Sequence, residues 1–409
     1  NVETIPVPGT DDQIDITYSV EEETTGSIGG NIGYSDFGLM LGFNLQEQNF
    51  LGSGNTVGIG INKNIYSEMY NISYMNPYAT RDGVSLGYNL YFRETDYGEF
   101  NVANYLTNSN GFGAQFGYPI SDITRLGFNI TYDKTDIDVG SLPAREIYDF
   151  VSAEGNIFET LSAQLSWQRV TLNRGLFPTD GASTVLSFSS TIPGSDLSYY
   201  RLNVRQRYYQ PLTQNLVFGF QGELGYLNAY GDTEETPFFQ NFYAGGPRSL
   251  RGFESNTLGP RSTDAPCYEF NYAEGTCPNL LDIDGDGELD TPYYNPYANQ
   301  TSRYRDAPIG GNIKIEGSLQ LIFKLPFIED QRSLRSAFFF DFGNVFSDNC
   351  KEYQINCSEP SIDDLRYSYG VGITWITGFG PMSLAIAKPT NAGPRERTEE
   401  FQFTVGNVF

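Results

Sequence analysis

Apolar and polar residues alternate along most of this chain with a period of two. In the segment NTVGIGINKNIY, Val57, Ile59, Ile61 and Ile65 fall on one face, while glycine and asparagine residues fall on the other. The segments VSLGYNLYFRE and RLGFNITYDK repeat the alternation with larger aromatic and aliphatic side chains. This period predicts β-strands that have one apolar and one polar face.

The length of these segments favours a membrane barrel over a soluble sandwich, which also alternates. Many segments run to about nine to eleven residues, the length that a tilted strand needs to cross a bilayer. Aromatic residues cluster at the segment ends, as in YMNPYA, RYYQPL and FPTDG, where the interfacial girdles of a barrel lie. Roughly sixteen such segments occur, so we predict an all-β fold, a 16-stranded antiparallel transmembrane β-barrel with a polar lumen.

The connections between segments alternate in length. NPYATRDG, YPISD and FPTDG are short, whereas the insert from about Gly231 to Pro308 is far longer, as is typical of a functional loop. One uncharged stretch, GVGITWITGFGPMSLAIA, resembles a membrane helix in hydropathy. Its interruption from Gly378 to Pro381 predicts a hairpin between two strands instead.

Composition narrows the function classes. The net charge is −25, and only 18% of residues are charged while 15% are aromatic, which argues against disorder and against nucleic-acid binding. The chain contains no histidine, so Ser-His-Asp and Cys-His catalysis are excluded. The commonest catalytic groups are therefore absent, and we predict that the protein is not an enzyme and requires no cofactor. Acid–base chemistry by carboxylate pairs inside the barrel is the alternative, although no nucleophile motif accompanies it.

Four cysteines form two close pairs in polar segments. Cys267 lies near Cys277 and Cys350 near Cys357, and neither pair has the Cys-x-x-Cys spacing of zinc or redox sites. We predict disulfides Cys267–Cys277 and Cys350–Cys357, formed in an oxidising compartment; free thiols are the alternative.

The segment LDIDGDGELD within the long insert has the spacing of a calcium-binding loop. Alternate carboxylates and a glycine would surround one Ca²⁺ ion, with a backbone carbonyl from Glu288, but Tyr293 stands where such loops place a final bidentate Glu. We expect a Ca²⁺ site that orders the loop; the alternative is a solvated acidic loop tip. The predicted ligand residues are Asp282, Asp284, Asp286, Glu288 and Asp290.

The first and last strands differ from the others. The first, TGSIGGNIGY, is rich in glycine and weakly apolar, and the last, EFQFTVGNVF, is short and ends on an aromatic residue. That ending suits a lipid-facing strand and also a terminal sorting signal for outer-membrane assembly. A weak seam between these strands predicts a lateral gate, formed by Gly26, Gly29, Gly30, Gly33, Phe401, Phe403, Gly406 and Phe409.

Several long motifs carry a resemblance to a known family. FFQNFYAGGPRSLRGFESNTLGP resembles the sixth outer loop of the BamA family of outer-membrane protein assembly factors, and QEQNFLGSGNTVGIGINKN, GLFPTDGASTVLSFSS and AFFFDFGNVF are similar to other parts of its barrel. The resemblance runs from about Tyr18 to Phe409. It implies a sixteen-stranded barrel over residues 23–409, preceded by periplasmic POTRA domains of which residues 1–22 are a remnant.

The resemblance also implies function and site residues. The long loop would fold into the lumen and lock there through Arg251, Gly252 and Phe253, with Asp341 as the acidic partner of the arginine. The family often has an acid where Gln320 stands, and Glu316 on the same face is a substitute. An integral protein of the Gram-negative outer membrane is expected, acting on unfolded outer-membrane β-barrel substrates. Expected partners are accessory assembly lipoproteins, outer-membrane lipid and lipopolysaccharide, but no nucleic acid.

Two other functions remain as alternatives. A related polypeptide secretion transporter shares the Arg-Gly-Phe loop, so the loop does not separate it from an assembly factor. A passive porin would need an open lumen lined by charged rings.

Overall fold

The computed structural model of the chain describes residues 2–9, 12–19, 24–100, 102–139, 144–263, 279–281, 291–292, 307–326, 328, 332–352, 354, 357–378 and 380–406. Sixteen antiparallel strands dominate it and close into a barrel. They are β1 (Gly26–Ser35), β2 (Gly38–Glu47), β3 (Thr56–Lys63), β4 (Ser67–Asn76), β5 (Ser85–Asp96), β6 (Leu106–Ser121), β7 (Thr124–Asp138), β8 (Ile157–Val170), β9 (Gly181–Thr191), β10 (Tyr199–Thr213), β11 (Leu216–Ala229), β12 (Ile313–Phe323), β13 (Leu334–Phe346), β14 (Arg366–Thr377), β15 (Gly380–Pro389) and β16 (Phe401–Val405). The predicted fold class is confirmed.

The strands follow from the alternation in the sequence. Each strand pairs with its neighbours along the chain, and β16 returns to β1. Large hydrophobic side chains such as Ile59, Phe92 and Phe128 are exposed on the outer surface, where lipid replaces water. The ladder satisfies the backbone polar groups that a bilayer cannot, apart from the seam described below.

The two ends of the barrel differ in their connections. At one end only residues 122–123 separate β6 from β7 and residues 214–215 separate β10 from β11, and Thr377 pairs with Gly380 in the predicted hairpin. The opposite end carries the long connections, including the loop between β11 and β12 and an α-helix, α1 (Arg145–Glu154). Within the described parts of the chain, no helix is both long and apolar enough to cross a membrane.

An apolar cluster covers the end with the long connections. Ile147 and Phe150 of α1 pack with Phe158, Leu197 and Phe238, all of them buried. The helix is also held from its first turn, since the Glu146 carboxylate accepts hydrogen bonds from the Thr263 backbone N–H at 3.0 Å and from its hydroxyl at 2.6 Å. This cap fixes the approach of the long loop toward the lumen.

A two-stranded hairpin precedes the barrel. Val2–Pro6 pairs with Ile14–Tyr18 in antiparallel register, with Val2 opposite Tyr18. The hairpin is exposed on both faces. Its assignment to a POTRA domain stays a prediction.

Candidate functional site: a loop in the lumen beside an open seam

The loop between β11 and β12 enters the barrel and packs against its inner wall. Leu250, Phe253 and Leu258 are fully buried in one apolar cluster with Leu227 of β11 and Val345 of β13. Gly252–Phe253 forms a short antiparallel pair with Thr398–Glu399, immediately before β16. The hydrophobic effect and strand pairing therefore place the Arg-Gly-Phe segment deep in the lumen.

Arg251 and Asp341 form a bidentate ion pair inside the barrel. Arg251 donates from Nε to Asp341 Oδ2 and from Nη2 to Oδ1, each at 2.7 Å. Asp341 is 0% exposed and Arg251 is 16% exposed at the side chain. The guanidinium also lies 3.4 Å from the centre of the Phe339 ring, and its Nη2 donates to Ser318 at 2.9 Å. A dry, bidentate pair of this kind fixes a loop far better than an exposed one.

Glu316 contacts the loop directly, whereas Gln320 contacts it through Ser318. Glu316 accepts a hydrogen bond from Ser249 of the loop and lies 2.9 Å from Lys314 Nζ. Gln320 donates to Ser318 at 3.3 Å, the same hydroxyl that accepts from Arg251. Thus Ser318 joins Gln320 to the ion pair, and Lys314 supplies the cation for Glu316.

Two features of Gly252, its backbone angle and its close neighbours, disfavour a side chain. Its φ is +91°, in the left-handed region, and a Cβ at this position would lie 3.2 Å from Ala387 Cβ. The next residue, Phe253, is 0% exposed and its carbonyl accepts a hydrogen bond from Gln402 of β16 at 2.8 Å. In this tripeptide Arg251 supplies a cation, Gly252 lets the backbone approach β15 closely, and Phe253 supplies a buried apolar side chain.

The seam between β16 and β1 is far weaker than the other strand pairs. Among the described residues, β16 pairs with β1 at Val405 opposite Tyr34 alone, and β1 is paired with β2 along its whole length. Residues 26–33 of β1 therefore have no strand partner on their outer edge within the described chain. The predicted gate glycines Gly26, Gly29, Gly30 and Gly33 lie on this edge.

The other predicted gate residues surround the seam. Phe401 is exposed, and the Phe403 ring lies 6.4 Å from that of Tyr34. Gly406 has a φ of +79°, and a Cβ on it would lie 2.5 Å from the Ile32 carbonyl oxygen of β1. Phe409 lies outside the described residues.

The lumenal loop contacts both sides of the seam. Gln402 of β16 hydrogen bonds to Phe253, as described above, and Ser255 donates to Asp36 in the turn after β1. Sequence reasoning missed these two contacts, since nothing in local periodicity relates Asp36 or Gln402 to a distant loop. It could have found Ser318 and Phe339, because alternation puts both on the lumenal face beside Asp341.

Three of the sequence predictions concern the outer loops. The Cys350–Cys357 disulfide is present. The predicted pair Cys267–Cys277 and the predicted Ca²⁺ ligands Asp282, Asp284, Asp286, Glu288 and Asp290 lie outside the described residues. Among the residues that are described, no group of three or more His, Cys, Asp or Glu side chains could hold a metal ion.

Comparison with known proteins gives the barrel a family. The model of the Omp85 superfamily domain matches residues 49–409. The chain belongs to the Omp85 superfamily. Within the superfamily it is 28% identical to the outer membrane protein assembly factor BamA of Neisseria meningitidis serogroup B, over 99% of this chain and 50% of that protein. The human sorting and assembly machinery component 50 homolog is 23% identical, over 88% of this chain and 67% of that protein.

Solved structures agree with the fold. The crystal structure of BamA from Haemophilus ducreyi lacking POTRA domains 1–3 matches with a TM-score of 0.80 and 28% identity, covering 99% of this chain and 74% of that chain. CdiB from Escherichia coli matches with a TM-score of 0.58 and 11% identity over 99% of this chain and 66% of that chain, a likeness of fold alone. The chain spans about half the length of the BamA of N. meningitidis.

The expected resemblance to the BamA family is confirmed, and so is the expected location. The protein is an integral outer-membrane protein, held there by the barrel.

Proposed function

We propose that this barrel is an insertase, which accelerates the folding and membrane insertion of other outer-membrane β-barrel proteins. The observation that carries the proposal is the edge of β1 from residue 26 to residue 33, which has no second strand partner among the described residues, beside the single described pair of Val405 and Tyr34. The relatives named for outer-membrane assembly and for sorting and assembly support it.

The edge suits this task on energetic grounds. An unpaired backbone group facing lipid costs several kcal/mol, so an open strand edge favours pairing with another strand. An incoming polypeptide segment satisfies these groups by β-augmentation and gains a template for its own first hairpin. Four of the ten β1 residues, Gly26, Ser27, Gly29 and Gly30, are small and exposed, which leaves this part of the edge accessible and weakly apolar, whereas Gly33 is buried.

Docking of the lumenal loop, held by the ion pair of Arg251 and Asp341, would determine whether the seam between β16 and β1 is open or closed. Because the loop contacts Gln402 on one side of the seam and Asp36 on the other, its docking relates the positions of β16 and β1. The mechanism uses hydrogen bonding and hydrophobic burial, with no covalent chemistry.

We assign residues 1–22 to the end of a periplasmic POTRA domain, on the strength of the exposed hairpin that precedes the barrel. Such domains would bind accessory assembly lipoproteins, while the outer surface of the barrel contacts outer-membrane lipid and lipopolysaccharide. A Ca²⁺ ion at the acidic segment from 282 to 290 stays part of this proposal.

Reversible locking of the seam tests the proposal. Val405 and Tyr34 are register partners, so the double variant Tyr34→Cys/Val405→Cys joins β16 to β1 by a disulfide. The protein, with its periplasmic domains, is placed in liposomes, and the folding rate of a urea-denatured barrel substrate is measured by its electrophoretic shift. We expect acceleration over empty liposomes, its loss on locking and its return on reduction.

A matched lock elsewhere provides the control. Ile59 and Ile72 are partners in the ordinary ladder between β3 and β4, so Ile59→Cys/Ile72→Cys adds a disulfide away from the seam and should keep the acceleration. The proposal fails if the locked seam accelerates folding as well as the open one. Substrate that crosses into the liposome lumen would indicate a secretion transporter, and ion leakage without folding would indicate a porin.

A further inference from the structure

A cavity beside the loop tip concentrates positive charge in an acidic protein. It has a volume of about 370 Å³, within the range of small-ligand sites. Among the described residues that line it are Arg248, Arg251 and Arg335, but no aspartate or glutamate. Because Arg251 is already paired with Asp341, Arg248 and Arg335 carry the positive charge of this lining, in a chain that has 50 acidic and 25 basic residues.

Arg335 is the residue that points to a ligand. It faces the lumen at the start of β13, and its guanidinium lies over the Tyr209 ring at 4.8 Å from the centroid. Its Nη2 atom is buried and has no hydrogen-bond partner among the described residues. Arg174, in the turn before β9, adds a second positive charge nearby. A buried cationic donor left unpaired is costly, and an oxyanion would remove that cost.

The cavity adjoins the open seam. Thr404 and Gly406, at the end of β16, form part of its lining, and Gly406 lies against Ile32 of β1. A strand that paired antiparallel with the β1 edge would run in the same direction as β16. Its C-terminal end would therefore point toward the end of the barrel with short turns, where Phe177 and Pro381 line the same cavity.

We propose that this cavity binds the terminal carboxylate of a polypeptide whose last strand pairs with β1. The inference rests on the proposed function, because that function brings a strand to this edge. A guanidinium matches a carboxylate in shape and charge and binds it through two parallel hydrogen bonds. The hydroxyls of Thr374 and Ser383, which also line the cavity, hydrogen bond to each other at 3.0 Å, so that the pair has one remaining proton to donate to a ligand.

Two peptides that differ in one group test the proposal. The probe is the ten-residue strand sequence EFQFTVGNVF with an N-terminal fluorophore, made once as the free acid and once as the C-terminal amide. Binding to the full chain in detergent micelles is measured by fluorescence anisotropy. We expect the free acid to bind about ten to a hundred times more tightly than the amide, the value of charge-assisted hydrogen bonds.

Three variants test whether Arg335 causes the preference for the free-acid peptide. Arg335→Gln should abolish it, whereas Arg205→Gln, which removes an exposed lumenal arginine, should keep it. Thr374 is the register partner of Arg335, so Thr374→Asp places a competing carboxylate beside the intact arginine and should abolish the preference as well. This second variant decides the matter if Arg335→Gln does not fold.

The outcomes separate the two proposals. Equal binding of the two peptides overturns the carboxylate site and leaves edge pairing in place. A preference that survives both Arg335→Gln and Thr374→Asp overturns the assignment to this cavity. Failure of both peptides to bind counts against the cavity and against pairing at the β1 edge together.

Discussion

Replacing Arg251 with alanine tests how firmly the lumenal loop is held. The change removes two 2.7 Å hydrogen bonds to Asp341 and the stacking over Phe339. It leaves a carboxylate that is 0% exposed with a hydrogen bond from the Arg251 backbone N–H at 3.2 Å. Loss of one partner of a buried pair costs about 3–5 kcal/mol, chiefly because the remaining charge is uncompensated.

The loop should report this loss directly. In amide hydrogen exchange, residues 244–258 should exchange roughly a hundredfold to several thousandfold faster in Arg251→Ala, since each 1.4 kcal/mol corresponds to about tenfold. The barrel strands should keep their protection, because their ladders do not involve the loop.

A matched control separates burial from charge. Arg205 also pairs with a lumenal acid, Glu223 at 3.2 Å, but its side chain is 66% exposed, so Arg205→Ala should change the free energy by about 0–1 kcal/mol. The double variant Arg251→Ala/Asp341→Ala should lose less than Arg251→Ala alone, because it removes the stranded charge. An increase in loop exchange below about tenfold, or one equal to that of Arg205→Ala, would refute the reasoning.

Three further predictions concern other parts of the molecule. Gly252→Ala should destabilise loop docking by about 1–3 kcal/mol, because of its positive φ and the close approach of β15; Gly175→Ala, with open space around it, should change the same exchange measurement by less than about 0.5 kcal/mol. Burial raises the pKa of Glu146 above its usual value, so the folded state holds a proton that the unfolded state releases. The protection of α1 should therefore fall as pH rises from the usual carboxyl pKa to the raised one, and a pH-independent difference from Glu146→Gln would contradict this. Cys350→Ser/Cys357→Ser removes a disulfide that closes a loop over a sequence separation of 7, and it should destabilise that outer loop by about 2 kcal/mol. Limited proteolysis measures the effect, and an unchanged rate of cleavage in the loop would contradict the prediction.

Much of the barrel could be predicted because its strands are long and face two different solvents. In β5 and β7, alternate residues meet lipid and a wet lumen, so the period of two is expressed without interruption. The same rule placed Asp341 on the lumenal face, since Phe338 and Phe340 on either side had to face lipid.

The candidate site was less accessible to sequence reasoning. The contact of Ser255 with Asp36 joins residues 219 positions apart, and no local pattern encodes such a distance. Glu316 illustrates a second limit, because its carboxylate could in principle serve Arg251, Lys314 or Ser249. In the structure Glu316 pairs with Lys314 and accepts a hydrogen bond from Ser249 of the loop. Only the three-dimensional positions of these side chains decide between the possible partners.

The pairing of Gly252–Phe253 with Thr398–Glu399 has a consequence for the order of events in folding. Strand β16 is short and makes little ladder with β1, so register along the seam cannot by itself bring the last strand to its place. The hydrogen bond from Gln402 to Phe253 joins residues that are 149 positions apart. Once the loop has docked on β13, however, β16 has only a small volume in which to find its place. The entropic cost of closing the barrel is therefore lower. Loop docking should therefore precede closure of the barrel, and the chain should populate a state in which the loop is seated while the final strand is still free.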